Sequence, residues 1–275
     1  MYKILYTMNM KVGIFCNRSA KRFSGIRSRL LRVLQERKIE YETYYCVEEI
    51  GRVDVLFVLG GDGTILKVAI TAGRRGIDVI GINAGNLGFL TEFEGDEVAS
   101  AVDLISSDYK IEERAVMQVI VNGESFYALN DAVFQRNYSE EADNNVVAIS
   151  AEIDGNKVDE FVGDGIIVST PTGSTAYSLS AGGSVLAPGI DAFILTPVCA
   201  HSLHNRPIVF SDRNKMCVKL GADDGATLFC DGAYVCKLNS GQSVYINRAP
   251  FSVRFIIRPN SNFFAKLLYK LNKWS

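Results

Sequence analysis

The chain has 275 residues, of which 48% are hydrophobic and 22% charged, an ordinary composition for a globular protein of one large or two modest domains. A formal net charge of −2 argues against nucleic acid or an anionic membrane as the main partner. The six cysteines form no C-x-x-C pair, so neither a zinc site nor a dense disulfide framework is expected.

The N-terminal residues lack the pattern of a signal peptide, and no stretch is apolar for long enough to cross a bilayer. We therefore expect a cytoplasmic protein. The translation start could be Met1, Met8 or Met10.

The first third of the chain alternates strand and helix patterns. Lys11–Cys16 is a short β-rich run, and residues 22–36 carry apolar side chains at helical spacing. Residues 53–59 form an apolar run, interrupted only by Asp54, that is typical of a strand buried on both faces of a parallel sheet. A helix over 64–74, with Thr64 as its N-cap, and a strand at Asp78–Asn83 complete a βαβ unit.

The pattern changes near residue 110, after which short β-rich runs dominate. Asn122-Gly123 and Asp154-Gly155 lie between such runs and predict hairpins. The tail, 262–274, is amphipathic, with Phe263, Leu267, Leu268 and Leu271 expected on its packed side. The prediction is an α/β, Rossmann-like domain with a parallel sheet (1–110), a mostly antiparallel β-rich domain (111–250), and a C-terminal segment (251–275) that returns to the first.

A glycine-rich loop, Gly60-Gly61-Asp62-Gly63-Thr64, follows the buried strand. Ligands of open α/β sheets bind at such strand ends, and a helix N-terminus favours an anion. Neither a dinucleotide fingerprint nor a Walker A loop fits, because Leu66 stands where a small residue is needed and no Gly-Lys-Ser/Thr occurs. A carboxylate among phosphates suggests phosphoryl transfer, with Asp62 as base or Mg²⁺ contact. Lys67 could reach a donor phosphate; the alternative is that Asp62 only caps the helix.

The loop and several later segments resemble the NAD kinases. The loop itself is shared with lipid kinases and, in a variant, with phosphofructokinases. More specific matches are Gly81-Ile82-Asn83-Ala84-Gly85-Asn86-Leu87-Gly88-Phe89-Leu90-Thr91, Leu129-Asn130-Asp131, Gly163-Asp164-Gly165, the run 169–183, Leu195-Thr196-Pro197, Asn205-Arg206-Pro207-Ile208-Val209 and Leu271-Asn272-Lys273-Trp274. The resemblance covers nearly the whole chain from about residue 53. It implies the two-domain fold predicted above, Mg²⁺, a homodimer or homotetramer, and an NAD site in the cleft between domains.

The resemblance also implies residue roles. The loop aspartate, Asp62, would accept the proton of the 2′-hydroxyl of the adenosine ribose, with Gly63 beside it. Asn130 and Asp131 would bind nucleotide hydroxyls, although Asn-Asp after a strand is also a common turn. Asp164 would contact NAD, although its Gly-Asp-Gly context is also that of a tight turn. The adenosine contacts would be Thr175, Ala176, Tyr177 and Ser180, with Tyr177 offering a face for stacking.

Some positions depart from the family pattern. Asp131 replaces the commoner Glu, Ser184 and Ala187 stand where many members carry Pro and His, and Ala233 replaces a Gln that contacts the second nucleotide half. His201 and His204 lie three residues apart, but further ligands are lacking nearby, so no metal-binding residues are predicted.

The expected function is therefore NAD phosphorylation with ATP, another nucleoside triphosphate or polyphosphate as donor. One alternative is a lipid or sugar kinase that shares the loop, which would not need the 172–183 signature. The other is a dinucleotide-binding sensor without activity, for which the intact Asp62 would have little use.

Overall fold

In the computed structural model, the described residues are 10–16, 23–85, 88–107, 109–137, 146–201, 206–221 and 225–274. Met1, Met8, Asn86, Leu87, His204 and Asn205, which are named in the sequence analysis, lie outside these ranges. The chain divides into two compact units. The first comprises Met1–Glu113 and Ser252–Ser275, and the second comprises Arg114–Phe251.

The first unit is an α/β domain around a parallel sheet. The elements in chain order are β1 (Lys11–Cys16), α1 (Ser24–Glu36), β2 (Glu40–Tyr44), β3 (Val55–Leu59), α2 (Asp62–Arg75), β4 (Asp78–Asn83), β5 (Phe93–Glu94) and α3 (Val98–Ile105). The last residues of β17 (Ser243–Ile257) and the helix α5 (Phe263–Trp274) complete the unit. The sheet order is β17-β4-β3-β1-β2, with the short β5 beside β4, and every one of these pairings is parallel.

Strand β3 is buried along its whole length, as its unbroken apolar run predicts. The helix that follows begins earlier than predicted. Its N-cap is Gly61, in an extended conformation, and its first residue is Asp62, so the prediction that Thr64 caps it is wrong. The helix ends at Gly76, whose left-handed φ of 68° suits a C-cap glycine. The carboxyl end of β3 and the start of α2 are therefore only two residues apart.

The second unit contains two antiparallel sheets that share one core. The elements are β6 (Lys110–Val121), β7 (Glu124–Ala128), β8 (Asp131–Arg136), β9 (Val147–Ile153), β10 (Asn156–Gly163), β11 (Gly165–Ser169), α4 (Tyr177–Ser180), β12 (Ala192–Val198), β13 (Ile208–Ser211), β14 (Met216–Leu220), β15 (Ala226–Cys230) and β16 (Ala233–Leu238). One sheet has the order β13-β12-β11-β8-β15-β16. The other contains β10, β9, β14 and the first part of β17, together with the β6–β7 hairpin. Buried side chains from both sheets, Phe134, Phe161 and Phe193 among them, form a single hydrophobic cluster. The predicted fold class is confirmed.

Both predicted hairpins are present. Asn122 and Gly123 have φ values of 53° and 80°, and Asp154 and Gly155 have 49° and 76°. Positive φ at both central residues is the signature of the type I′ turn, whose twist matches that of the paired strands. The pairings β6–β7 and β9–β10 follow from these turns.

The C-terminal helix α5 packs within the first unit with a different face from the one predicted. Phe263 and Leu267 are partly buried, as expected, but Leu268 is 62% exposed and Leu271 is also exposed. The inner side instead includes Lys266, whose ammonium group pairs with the buried carboxylate of Glu92. The long apolar stem of lysine allows such a position when its charge is paired. No helix in the described part of the chain has the length and apolar character needed to span a membrane.

Candidate functional site

Asp62 is the first residue of α2, and its carboxylate is held by backbone N–H groups of another segment. Its Oδ2 accepts a hydrogen bond from the Phe89 N–H at 2.9 Å, and its Oδ1 accepts one from the Leu90 N–H at 3.0 Å. Both donors belong to the segment that connects β4 to β5. Hydrogen bonds to a charged acceptor are the stronger kind, so they fix the orientation of the carboxylate.

The helix-capping alternative does not describe Asp62. The N-cap of α2 is Gly61 and makes no side-chain cap hydrogen bond, while the Asp62 carboxylate is bound by a segment 27 and 28 residues away in sequence. Asp62 is half-buried, and Gly63 and Lys67 on the same helix are exposed. The first two turns of α2 therefore carry a fixed carboxylate at Asp62, a residue without a side chain at Gly63 and an exposed lysine at Lys67.

In the second unit, Asn130 and Asp131 lie where the loop after β7 enters β8. The carboxylate of Asp231 accepts hydrogen bonds from the N–H groups of Leu129 (2.8 Å), Asn130 (2.7 Å) and Asp131 (3.1 Å). The backbone N–H of Asp231 in turn donates to the carbonyl oxygen of Asp131 at 3.0 Å. The Asp231 carboxylate thus fixes the backbone conformation of Asn130 and Asp131, the predicted hydroxyl-binding residues.

Burial and the neighbouring Asp231 together perturb the Asp131 carboxyl group. The side chain is only 5% exposed, and burial followed by the negative charge of Asp231 raises its pKa to about 7. Burial also raises the pKa of Asp231, but its three N–H donors oppose that effect. The adjacent Cys230 stays a thiol, because burial and the two carboxyl groups raise its pKa to about 12.

The Thr- and Gly-rich run after β11 packs directly on Asn130. The Thr170 N–H donates to the carbonyl oxygen of Asn130 at 2.9 Å, and the Gly173 N–H donates to the Thr170 hydroxyl at 3.2 Å. A Cβ atom at Gly173 would overlap the Asn130 carbonyl and lie 2.8 Å from its Cα. Glycine is therefore needed at this position for the run to approach Asn130.

The four predicted adenosine contacts follow in the next turn and in α4. The Thr175 hydroxyl is buried and donates to the Thr172 carbonyl at 3.2 Å, so towards a ligand it offers acceptor lone pairs. Ala176 is partly exposed and Ser180 is exposed. Tyr177 is 43% exposed, and a partly exposed aromatic face is suited to stacking.

Asp164 lies at the other end of the same pair of strands. In the β8–β11 register, Ser169 is opposite Asp131 and Gly165 is opposite Gln135. Five residues of extended strand separate 164 from 169, which corresponds to about 17 Å. The structure thus joins Asn130 and Asp131 to the 170–180 run but does not join Asp164 to them.

The Asp164 carboxylate has partners of its own. It is paired with Arg136, whose Nε lies 2.7 Å from its Oδ1, and the Arg136 N–H donates to the Asp164 carbonyl at 2.9 Å. The exposed Cys199 thiol donates to the same carboxylate, and this hydrogen bond is the main reason that the pKa of the thiol is raised.

The described residues contain no group of three His, Cys, Asp or Glu side chains arranged to hold a metal ion. His201 is exposed.

Sequence reasoning missed Asp231 as an organising residue of the site. It forms with Gly232 a turn with φ values of 49° and 76°, between β15 and β16. This Asp-Gly pair after an apolar run is the same signal that predicts the other two hairpins. The hairpin was thus predictable, but the three N–H groups that the Asp231 carboxylate binds about 100 residues away were not.

Two family models each match one part of the chain. A family model described as the ATP-NAD kinase N-terminal domain matches residues 17–109, and one described as the ATP-NAD kinase C-terminal domain matches residues 130–257. The NAD kinase of Caldicellulosiruptor bescii is 34% identical over 269 residues, covering 96% of this chain and 100% of the relative. The NAD kinase of Geobacter sulfurreducens is 34% identical over 284 residues, covering 96% of this chain and 98% of the relative.

Two solved structures have the same fold. The yeast NADH kinase complexed with NADH has a TM-score of 0.85 at 22% identity, covering 97% of this chain and 88% of that one. An NAD kinase from Archaeoglobus fulgidus in complex with ATP has a TM-score of 0.79 at 25% identity, covering 96% of this chain and 99% of that one.

Proposed function

The chain belongs to the ATP-NAD kinase family, and from that premise we propose that Asp62 is the base that activates the 2′-hydroxyl group of NAD. As a member of this family it is a phosphotransferase that converts NAD to NADP. The observation that supports the role of Asp62 is its carboxylate, which two backbone N–H groups hold at the start of α2.

The reaction needs one proton acceptor and one phosphoryl donor. As the hydroxyl oxygen forms its bond to the γ-phosphorus, the bond from that phosphorus to the leaving nucleotide oxygen breaks, and the hydroxyl proton passes to Asp62. Each carboxylate oxygen of Asp62 accepts one backbone N–H and keeps a second lone pair. The fixed orientation of the carboxylate would therefore leave it able to accept the proton.

The groups of the second unit would bind NAD rather than take part in proton transfer. Asn130 and the ionised Asp131 would bind hydroxyl groups of the dinucleotide, since an amide beside a carboxylate complements vicinal hydroxyls. Thr175, Ala176, Tyr177 and Ser180 would contact the adenosine, with the exposed ring of Tyr177 stacking on it. Asp164, paired with Arg136, would accept hydrogen bonds from a polar group of NAD without carrying an unbalanced charge.

ATP is the donor that we propose first, because the Archaeoglobus fulgidus relative was solved in complex with ATP. Mg²⁺ would arrive bound to the donor phosphates as part of the substrate, where it neutralises their charge. The exposed Lys67, five residues after Asp62 on the same helix, would reach the same phosphates. Gly63 would let the donor approach the backbone closely. Two further proposals follow the resemblance: a homodimer or homotetramer, and a cytoplasmic location.

The test is NADP formation by the purified full chain with NAD, Mg²⁺ and, in separate reactions, ATP, other nucleoside triphosphates and polyphosphate. NADP with at least one donor is the expected result. Absence of NADP with every donor, in protein that still binds NAD by calorimetry, would favour the sensor alternative and refute the proposal.

Asp62→Asn isolates the proposed base. The amide keeps the size and one acceptor oxygen but cannot take the proton, so kcat should fall by about 10² to 10⁴, the range typical of general-base removal. The NAD dissociation constant should stay within about threefold, and circular dichroism should show an unchanged fold. Near-normal kcat in this variant would remove Asp62 from the role of base.

A further inference from the structure

The segment that binds the Asp62 carboxylate passes it at very short range. A Cβ atom added to Gly88 would overlap Asp62 Oδ1 and lie 2.6 Å from its Cγ and 2.8 Å from its Oδ2. All three atoms belong to one carboxylate, and a Cβ atom essentially never lies within 3.0 Å of a heavy atom outside its own residue and its chain neighbours. Only a residue without a side chain allows the next two N–H groups to reach Asp62.

On its far side this segment is packed too tightly to retreat. A Cβ atom at Gly81 of β4 would lie 2.9 Å from the Leu90 carbonyl oxygen and 3.0 Å from Thr91 Cα. The segment therefore packs directly on the backbone of β4 at Gly81 and has no space to move away from Asp62. The Gly88 N–H donates to the fully buried Thr91 hydroxyl at 2.5 Å, which closes the turn.

The C-terminal helix supports the same turn. The ring of Phe89 lies 6.3 Å from that of Phe263, and the ammonium group of Lys270 lies 5.9 Å from the Phe89 ring centroid. Lys266 Nζ donates to the Thr91 carbonyl at 3.3 Å. A side chain at Gly88 would therefore displace the carboxylate of Asp62 more readily than the backbone that binds it.

From this geometry we propose that Gly88 is a positioning residue for Asp62: the absence of a side chain there seats the carboxylate between the Phe89 and Leu90 N–H groups. The inference rests on the proposed role of Asp62 as base. Because misplacement of a reacting group by about 1 Å can cost about 10²-fold in rate, the expected consequence of filling this space is a loss of turnover. NAD binding through Asn130 and Asp131 involves other groups and should be spared.

The first variant is Gly88→Ala. Its kcat should fall by about 10- to 100-fold, while the KM for NAD and the NAD dissociation constant stay within about twofold. In an Asp62→Asn background, Gly88→Ala should cause no further loss, because a residue that acts only through Asp62 has nothing left to position. Equal losses in the two backgrounds would overturn the proposal, and so would unchanged kcat in Gly88→Ala while the wild-type chain makes NADP.

Two glycines of the same unit provide controls. A Cβ atom at Gly25 meets nothing within 4 Å, so Gly25→Ala should leave kcat unchanged. A Cβ atom at Gly95 would lie 2.8 Å from Ile26 Cγ1, so Gly95→Ala disturbs the packing of the unit without touching Asp62. If Gly95→Ala lowers kcat as much as Gly88→Ala at a similar loss of thermal stability, the effect is general destabilisation and the proposal fails.

Thr91→Val gives a second route should Gly88→Ala not fold. Valine keeps the shape of threonine but removes the hydroxyl that closes the turn through the Gly88 N–H. We expect a fall in kcat of several-fold at unchanged KM, and unchanged kcat would count against the proposal. Absence of NADP from the wild-type chain itself would instead refute the proposed function, so the two failures are distinguishable.

Discussion

The carboxyl group of Asp131 should make the protein less stable as the pH rises, and Asp131→Asn should remove that dependence. Burial and the neighbouring Asp231 raise its pKa from 3.8 to about 7 in the folded chain. The folded state therefore holds this proton more tightly than the unfolded state does. Its contribution to stability is fully present below pH 3.8 and is lost as the pH rises through about 7.

The magnitude follows from the two pKa values. A difference of about three in pKa corresponds to about 4 kcal/mol, and about 2 kcal/mol of it should be lost between pH ~5.5 and ~8.5. An asparagine does not ionise, so Asp131→Asn should be more stable than the wild type by about 4 kcal/mol at pH ~8.5 and by about 2 kcal/mol at pH ~5.5, where the unfolded wild type has already lost its proton.

The assay is urea unfolding of the ligand-free protein at several pH values between ~5.5 and ~8.5. The matched control is Asp159→Asn, an exposed aspartate in the same unit, which should retain the wild-type pH dependence. If the wild type and Asp131→Asn lose the same free energy of unfolding over this range, then Asp131 does not titrate there and the reasoning is wrong.

Two further predictions concern the stability that buried carboxylates gain from their partners, one at Asp231 and one at Glu92. Asp231→Ala should lower the free energy of unfolding by about 3 kcal/mol, since it leaves buried N–H donors without an acceptor. Asp231→Asn, which keeps one acceptor oxygen, should cost less in the same urea titration, and equal losses would contradict this account. Lys266→Met should also cost about 3 kcal/mol, because Glu92 is buried and its pair with Lys266 is broken. The control, Lys157→Met, breaks an exposed pair and should cost less stability than Lys266→Met. Thermal unfolding that ranks the two lysine variants in the opposite order would refute the argument.

The sequence predicted those features that short-range patterns determine. The unbroken apolar run of β3 indicates a strand in a parallel sheet, and it is one. Asn-Gly and Asp-Gly pairs indicate hairpins, because their residues tolerate positive φ, and both hairpins are present. The position of Asp62 directly after β3 also follows from such a pattern, since the loop is read together with its flanking strand and helix.

The side of α5 that packs on the first unit was predicted wrongly for a physical reason. A helical pattern ranks residues by hydrophobicity, which places Leu268 and Leu271 inside and the lysines outside. The buried carboxylate of Glu92 reverses this order, because Lys266 must turn inward to pair with it. Glu92 is more than 170 residues away in sequence, so no local pattern in the tail contains that information.

The structure of the site also depends on backbone groups that every residue possesses. The Asp62 carboxylate is bound by the N–H groups of Phe89 and Leu90, and the Asp231 carboxylate by N–H groups about 100 residues away. Neither partnership requires a particular side chain on the donor, so neither leaves a sequence signal. The sequence feature that remains is a glycine: Gly88 must lack a side chain for the Phe89 and Leu90 N–H groups to reach Asp62.

The carboxylates of Asp62 in the first unit and Asp131 in the second differ in their surroundings, and that difference supports their proposed roles. Asp62 is half-buried, and its two N–H donors hold the carboxylate in one orientation while each oxygen keeps a second lone pair for the hydroxyl proton. Asp131 is buried beside another acid, so its ionised form is costly in the free protein. Ribose hydroxyls that donate to Asp131 would offset that cost, because hydrogen bonds to the charged form favour it. NAD affinity should then rise with pH through about 7 while the stability of the free protein falls. Opposite pH trends in calorimetric NAD binding and urea unfolding, both absent in Asp131→Asn, would tie the two effects to this one carboxyl group, and parallel trends would separate them.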